Sequence, residues 1–291
     1  MARAAQWWQG ARPRTLPAAV APVLVGTGAA AAADSAVPVR ALLALGVALA
    51  LQVGVNYAND YADGVRGTDA DRVGPMRLVG SGAASADAVR RAAILALGTA
   101  GVMGLVLVAL LGQWWLLGVG ALAVTAAWGY TGGSRPYGYR GLGELAVFVF
   151  FGLVATVGTT YVQVLAVTLP SLLGGMAVGC LATAILVVNN LRDRPGDQSS
   201  GKLTLAVRLG DVRTRQLFLL LLAGAYAAAA AVALAGFPRA LLAWLSLPWA
   251  VRAAAPVQRG ADGPALVPAL VDTARAELGL ALGLTAGLLL G

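Results

Sequence analysis

The residues able to do chemistry crowd into two stretches: Asn59-Asp60-x-x-Asp63, with Asp69 and Asp71 close behind, and Asn189-Asn190-x-x-Asp193-x-x-x-Asp197. Six of the chain's 13 acids fall there. Each stretch stands where a long apolar run meets a polar loop, and carboxylates at a membrane edge are costly unless something offsets their charge. Hard divalent cations binding a phosphorylated compound would do so. Residues four apart share a helix face, so Asn59 points with Asp63 and Asn189 with Asp193. Pro195 and Gly196 are expected to end the second helix, leaving Asp197 in the loop. One carboxylate pair holds a divalent ion weakly, whereas two opposed pairs can clamp Mg2+ ions around a diphosphate. The alternative is a set of solvated carboxylates paired with neighbouring arginines, as Arg192 could pair with Asp193.

Donors suited to phosphate oxygens surround these acids: Arg66, Arg72, Arg77, Arg192, Lys202 and Arg208. Arginine offers a planar fork and lysine a point charge. A plain topological or lipid-contact role is open for each of them. The chain has no histidine, which excludes haem-histidine ligation, histidine zinc sites and a histidine base. Its one cysteine, Cys180, lies in an apolar run and is read as packing. No Walker or GxGxxG pattern is present, so nucleotide P-loop chemistry is excluded.

The elements that must position these groups are membrane helices. Hydrophobic residues make up 59%, charged residues 12% and mean hydropathy is +0.77, well outside the range of water-soluble domains. A bilayer span needs about 20 apolar residues. Runs at 16–33, 40–59, 87–112, 114–130, 142–163, 169–190, 214–236, 239–255 and 275–290 predict an all-α polytopic membrane protein with about nine spans. It forms a single transmembrane domain over 1–291, with motif loops at about 59–86 and 190–213. With the N-terminus inside, only Arg40 and Arg239 of the 21 Lys+Arg fall on the outer side, so both motifs face the cytoplasm. The net charge of +8 is then topology signal and contact with anionic headgroups, not a nucleic-acid surface. Residues 256–272 read as a cytoplasmic loop without an assigned role. The motifs stand 130 positions apart (59 to 189), consistent with two duplicated halves whose loops meet over a shared cavity.

These motifs, together with Arg12-Pro13-Arg14-Thr15-Leu16-Pro17, the run from Asn59 to Val79, YTGGSRPYGYRGLGE from Tyr130 to Glu144 and the run from Asn189 to Gly210, carry a family resemblance. The chain resembles the UbiA-type superfamily of intramembrane aromatic prenyltransferases, and within it the branch that prenylates 1,4-dihydroxy-2-naphthoate in menaquinone biosynthesis. The resemblance covers about residues 7–215; the last three helices match only in character. It implies nine helices around a cavity in a bacterial cytoplasmic membrane, Mg2+ dependence and a polyprenyl diphosphate donor. It implies that Asn59, Asp63, Asp193 and Asp197 hold Mg2+, with Asp60 and Asp69 secondary, and that Lys202 and Arg66 touch phosphate. Asp63, Asp193 and Lys202 are the expected catalytic set. Arg77, Asn189, Asn190 and Arg208 are expected to bind substrate. Relatives carry Tyr-x-x-x-Lys near Tyr130; here Ser134 stands at the lysine position and Arg135 follows it, so either Arg135 takes the cationic role on the acceptor side or that role is unnecessary. Glu144 either orients an acceptor hydroxyl or supplies a helix N-terminal charge. Arg12 and Arg14 either bind the acceptor carboxylate or anchor the N-terminal segment.

The resulting expectation is transfer of a polyprenyl group to 1,4-dihydroxy-2-naphthoate with loss of CO2 and diphosphate. Other aromatic acceptors stay open within that reading. Asp60-x-x-Asp63-Gly64 also opens like the motif of CDP-alcohol phosphotransferases, but Gly67-Thr68 stands where Ala-Arg is required. An ion-coupled transporter is a rival of another class; acids at helix ends, not in broken mid-span helices, speak against it.

Overall fold

In the computed structural model, which describes residues 2–67 and 76–291, the apolar runs become helices and the polar stretches cap or tie them. A short helix α1 (Ala4–Gly10) precedes α2 (Pro17–Ala31), α3 (Pro38–Arg66), α4 (Ala86–Leu111) and α5 (Leu116–Gly129). Next come α6 (Gly143–Val164), α7 (Leu169–Ser199), α8 (Leu205–Leu234), α9 (Pro238–Gln258) and α10 (Gly263–Leu290). Among the described residues, seven of these are long and apolar enough to cross a membrane; α2 and α5 are shorter apolar helices. The chain is therefore an all-helical integral membrane protein.

Four boundaries differ from the sequence expectation, for one reason. The stretches 59–66 and 190–199 were expected in loops but are the last turns of α3 and α7, and residues 205–213 belong to α8. Helix α7 continues through Pro195 and Gly196, so Asp197 lies on helix rather than in a loop. Pro195 forfeits its own bond to the Leu191 carbonyl, yet the helix runs on for another turn to Ser199. Helix α10 begins at Gly263, well before position 275, and helical segments occupy most of the supposed 256–272 loop. Hydropathy stops at charges; helices do not where those charges are bonded, as Asp60 and Asp272 are. Helix α3 ends at Gly67, whose φ of 73° a side chain would strain.

The packed core joins α2 with α7–α10 through Val25, Leu181, Phe218, Leu280 and Leu284, all at most 0% exposed. Buried apolar residues are led by alanine, while large ones face outward, such as Leu234 (90% exposed) and Leu245 (74%). Helix α6 contains a π-helical segment, Phe148–Val154, crossing α7 where Gly152 meets Gly175 and Gly179. A Cβ on Gly152 would come within 2.5 Å of the Gly179 Cα. Small residues in register allow such contact in lipid.

Candidate active site

Helices α3 and α7 deliver both motifs to one cavity of about 2330 Å³, whose lining is mostly apolar. That volume is more than twice the upper size of ordinary ligand pockets, roughly 1,000 Å³. Asn59 and Asp63 line it from α3, and Asn189, Asn190, Asp193 and Asp197 from α7. The expected meeting of the two motifs is thus what the fold produces.

Asp63, 3% exposed, is the centre of a cationic cluster. Arg77 Nη2 donates to its Oδ2 at 3.3 Å, Lys202 Nζ to its Oδ1 at 3.2 Å, and the Tyr139 hydroxyl also donates to Oδ1. The Tyr139 ring carries the Lys202 ammonium 4.7 Å from its centroid and the Arg66 guanidinium at 5.2 Å. Opposite, Arg192 grips Asp193 with two bonds of 2.7 Å and reaches Asn189 Oδ1 at 2.9 Å. Both motif carboxylates are therefore charge-compensated, which is what burial near a bilayer demands. The loop Lys202 stands on is fixed by its own backbone N–H, which donates to the Asp197 carbonyl at 2.8 Å.

Asp60, expected among the metal ligands, does something else here. At 1% exposure its oxygens accept from the backbone N–H groups of Leu78 and Val79 at 2.7 and 3.0 Å, pinning the turn that carries Arg77. Arg66, expected on phosphate, donates to the Thr131 and Gly133 carbonyls. Glu144 is buried and accepts from Asn190 Nδ2 at 2.9 Å. Arg135 and Arg208 are exposed and outside the cavity lining; Arg208 donates to the Leu203 carbonyl. Tyr130 is on the wall, edge-on to Tyr137 at 5.6 Å. Burial, and then the Glu144 charge, raise the Tyr130 hydroxyl far above the usual phenol range, and burial pushes Tyr137 up to about 12. Both stay neutral hydroxyls at any physiological pH. Arg12 and Arg14 line the cavity. Asp69, Asp71 and Arg72 lie outside the described residues.

Sequence reasoning passed over Tyr139, Thr131, Gln52 and Asn56. Thr131 donates to Asn59 Oδ1 at 2.7 Å. Gln52 and Asn56 bond Thr15 Oγ1, each at 3.0 Å, and Asn56 bonds the Ala11 carbonyl, seating the N-terminal segment on α3. The spacing 52, 56, 59, 63 follows one helix face and was a usable signal. Nothing local marks Tyr139.

The donor set suits magnesium, being all oxygen: three carboxylates and three amides lining one cavity. Among the described residues no three acids converge to form a metal cage. Magnesium held with a diphosphate takes only one or two protein carboxylates beside the phosphate oxygens, so the arrangement fits.

A model described as the UbiA prenyltransferase family matches residues 19–264. The chain is 54% identical over 291 residues to the 1,4-dihydroxy-2-naphthoate octaprenyltransferase of Mycobacterium tuberculosis, covering 100% of this chain and 99% of that protein. It is 40% identical over 287 residues to the protein of the same name from Escherichia coli, covering 96% and 93%. A UbiA homolog from Archaeoglobus fulgidus, solved bound to GPP and Mg2+, superimposes with a TM-score of 0.72 over 98% of this chain and 100% of that one. At 15% identity that likeness concerns the fold alone.

Proposed function

Because the chain belongs to the UbiA prenyltransferase family, we propose that it transfers a polyprenyl group from polyprenyl diphosphate to 1,4-dihydroxy-2-naphthoate, releasing CO2 and diphosphate and giving demethylmenaquinol, the reduced form of demethylmenaquinone. The observation that carries this is two carboxylate–cation clusters, around Asp63 and Asp193, on the wall of one large apolar cavity. The names of the bacterial relatives, at 54% and 40% identity, supply the acceptor.

Asn59, Asp63, Asp193 and Asp197 would hold Mg2+, which supplies countercharge to the diphosphate as its bond to the prenyl carbon weakens. Arg77 and Lys202 hand some of their hydrogen bonds from Asp63 to phosphate oxygens and stabilise the charge gathering on the leaving group. Asp60 is a positioning residue: it fixes the 78–79 turn and so the reach of Arg77. Tyr139 holds the Asp63 carboxylate and braces the Lys202 ammonium. The apolar walls exclude water that would capture the allylic cation. The aromatic ring attacks that cation, and the electron pair of the departing carboxylate restores its aromaticity. Atoms and charge balance without a proton to remove, so a chain without histidine is no obstacle. The whole of 1–291 acts as one domain, with the N-terminus and the site at the cytoplasmic face of a bacterial membrane.

The test is prenyl transfer by the purified protein with a long-chain polyprenyl diphosphate, in Mg2+ and in EDTA. Mg2+-dependent prenylated product with stoichiometric CO2 is expected. Diphosphate release only with a different aromatic acceptor would overturn the acceptor, and none under any condition would overturn the activity.

A further inference from the structure

Two arginines face the cavity from helices the mechanism leaves unused. Arg252 on α9 and Arg275 on α10 both line it, joined through Asp272. Arg252 Nε lies 3.4 Å from Asp272 Oδ2, and Arg275 Nη1 lies 3.0 Å from Oδ1. The Asp272 side chain is 8% exposed, while those of Arg252 and Arg275 are 65% and 54% exposed. Each carboxylate oxygen thus steadies one guanidinium and leaves its other N–H groups accessible. Both helices are apolar enough to span a membrane, where ionisable side chains are expensive and kept for function.

We propose that Arg252 and Arg275, braced by Asp272, are the site that binds the carboxylate of the aromatic acceptor; this rests on, and deepens, the proposed transfer. The cavity must seat two anions, a diphosphate and an aromatic carboxylate. Arg77, Lys202 and Arg192 are committed to Asp63, Asp193 and the diphosphate end. Among the described residues the remaining cations on the wall are Arg12, Arg14, Arg252 and Arg275. Arg252 and Arg275 share a buried acid that pre-sets both, and a planar fork matches a carboxylate in two bonds. Arg14 sits on the Pro13–Thr15 turn, which packs against α10, and adds positive potential to this part of the wall. Recognition through the carboxylate also separates substrate from product. Transfer removes that group as CO2, so the pair grips the acceptor and has nothing to hold afterwards.

Arg252→Gln and Arg275→Gln, in the full chain, are expected to raise KM for the naphthoate roughly 10-fold or more, as loss of a charge-assisted bond implies. KM for polyprenyl diphosphate should stay within about two-fold, the scatter of a neutral surface change. Inhibition is the second readout: 1-hydroxy-2-naphthoate should outcompete 1-naphthol against wild type, and this preference should collapse in both variants. Arg275→Lys, which keeps the ion pair, should retain part of it. Arg252 is mostly exposed, so folding is least at stake there. An unchanged naphthoate KM overturns the proposal. So does a rise in KM for the diphosphate instead, which would assign the pair to phosphate of donor or lipid, and so does equal weakening of both inhibitors. Wild type inactive on the naphthoate defeats the transfer reading and this one together; active wild type with unaltered variants defeats this one alone.

Discussion

At the scale of single residues, two aspartates three positions apart have opposite work. Asp63 faces the cavity amid Arg77, Lys202 and Tyr139, whereas Asp60 turns away and secures backbone. Asp63→Asn and Asp193→Asn should abolish turnover in a protein that still folds, with some loss of stability because Arg77, Lys202 or Arg192 then lacks its buried countercharge. Asp60→Asn should instead lower stability by about 2 kcal/mol, since an amide presents a donor to at least one of the two N–H groups. Melting curves and single-turnover rates on the same preparations would check both; a stable but inactive Asp60→Asn would return Asp60 to the ligand set. Sequence spacing brought Asn59, Asp63, Asn189 and Asp193 together correctly, because helical periodicity is local. It could not tell Asp60 from Asp63, since the partner of Asp60 is a turn 18 residues on. For the same reason the cationic character of Arg66, Arg135 and Arg208 is visible in sequence but their direction is not.

At the scale of elements, the site depends on how closely α6 and α7 approach. The π-helical segment brings Gly152 onto Gly175 and Gly179, and α7 in turn carries Asn189 and Asp193 to the cavity. Gly152→Leu should push the helices apart, with a stability loss of about 1–3 kcal/mol, as overpacking of a tight contact gives. A thermal melt in detergent would register it, and an unshifted midpoint would show that the crossing tolerates separation. Apolar run length located the spans, but ends set by charge pairing were misplaced. Asp272 with Arg252 and Arg275 lets α10 start where hydropathy suggested a loop; the Arg252 pair crosses between helices and leaves no periodic trace in the sequence.

At the scale of the whole molecule, the proposed orientation rests on basic residues gathered on one side. With Cys180 replaced by serine, a cysteine at Ser134 should react with a membrane-impermeant thiol reagent only from the cytoplasm, and one at Ser35 only from outside. The reverse pattern would invert the topology and carry the site to the other face. Family motifs made the reaction class and its acceptor readable before any coordinates, whereas the Arg252–Asp272–Arg275 cluster was not, because it lies in helices whose sequence matches the family only in character. The alanine-led interior and leucine-studded exterior have an evolutionary corollary. In a water-soluble protein, selection polices large buried side chains most strictly and ignores small ones. Here that hierarchy inverts: bulky lipid-facing positions are free to drift among apolar types, and the smallest residues become the ones a lineage can least afford to change.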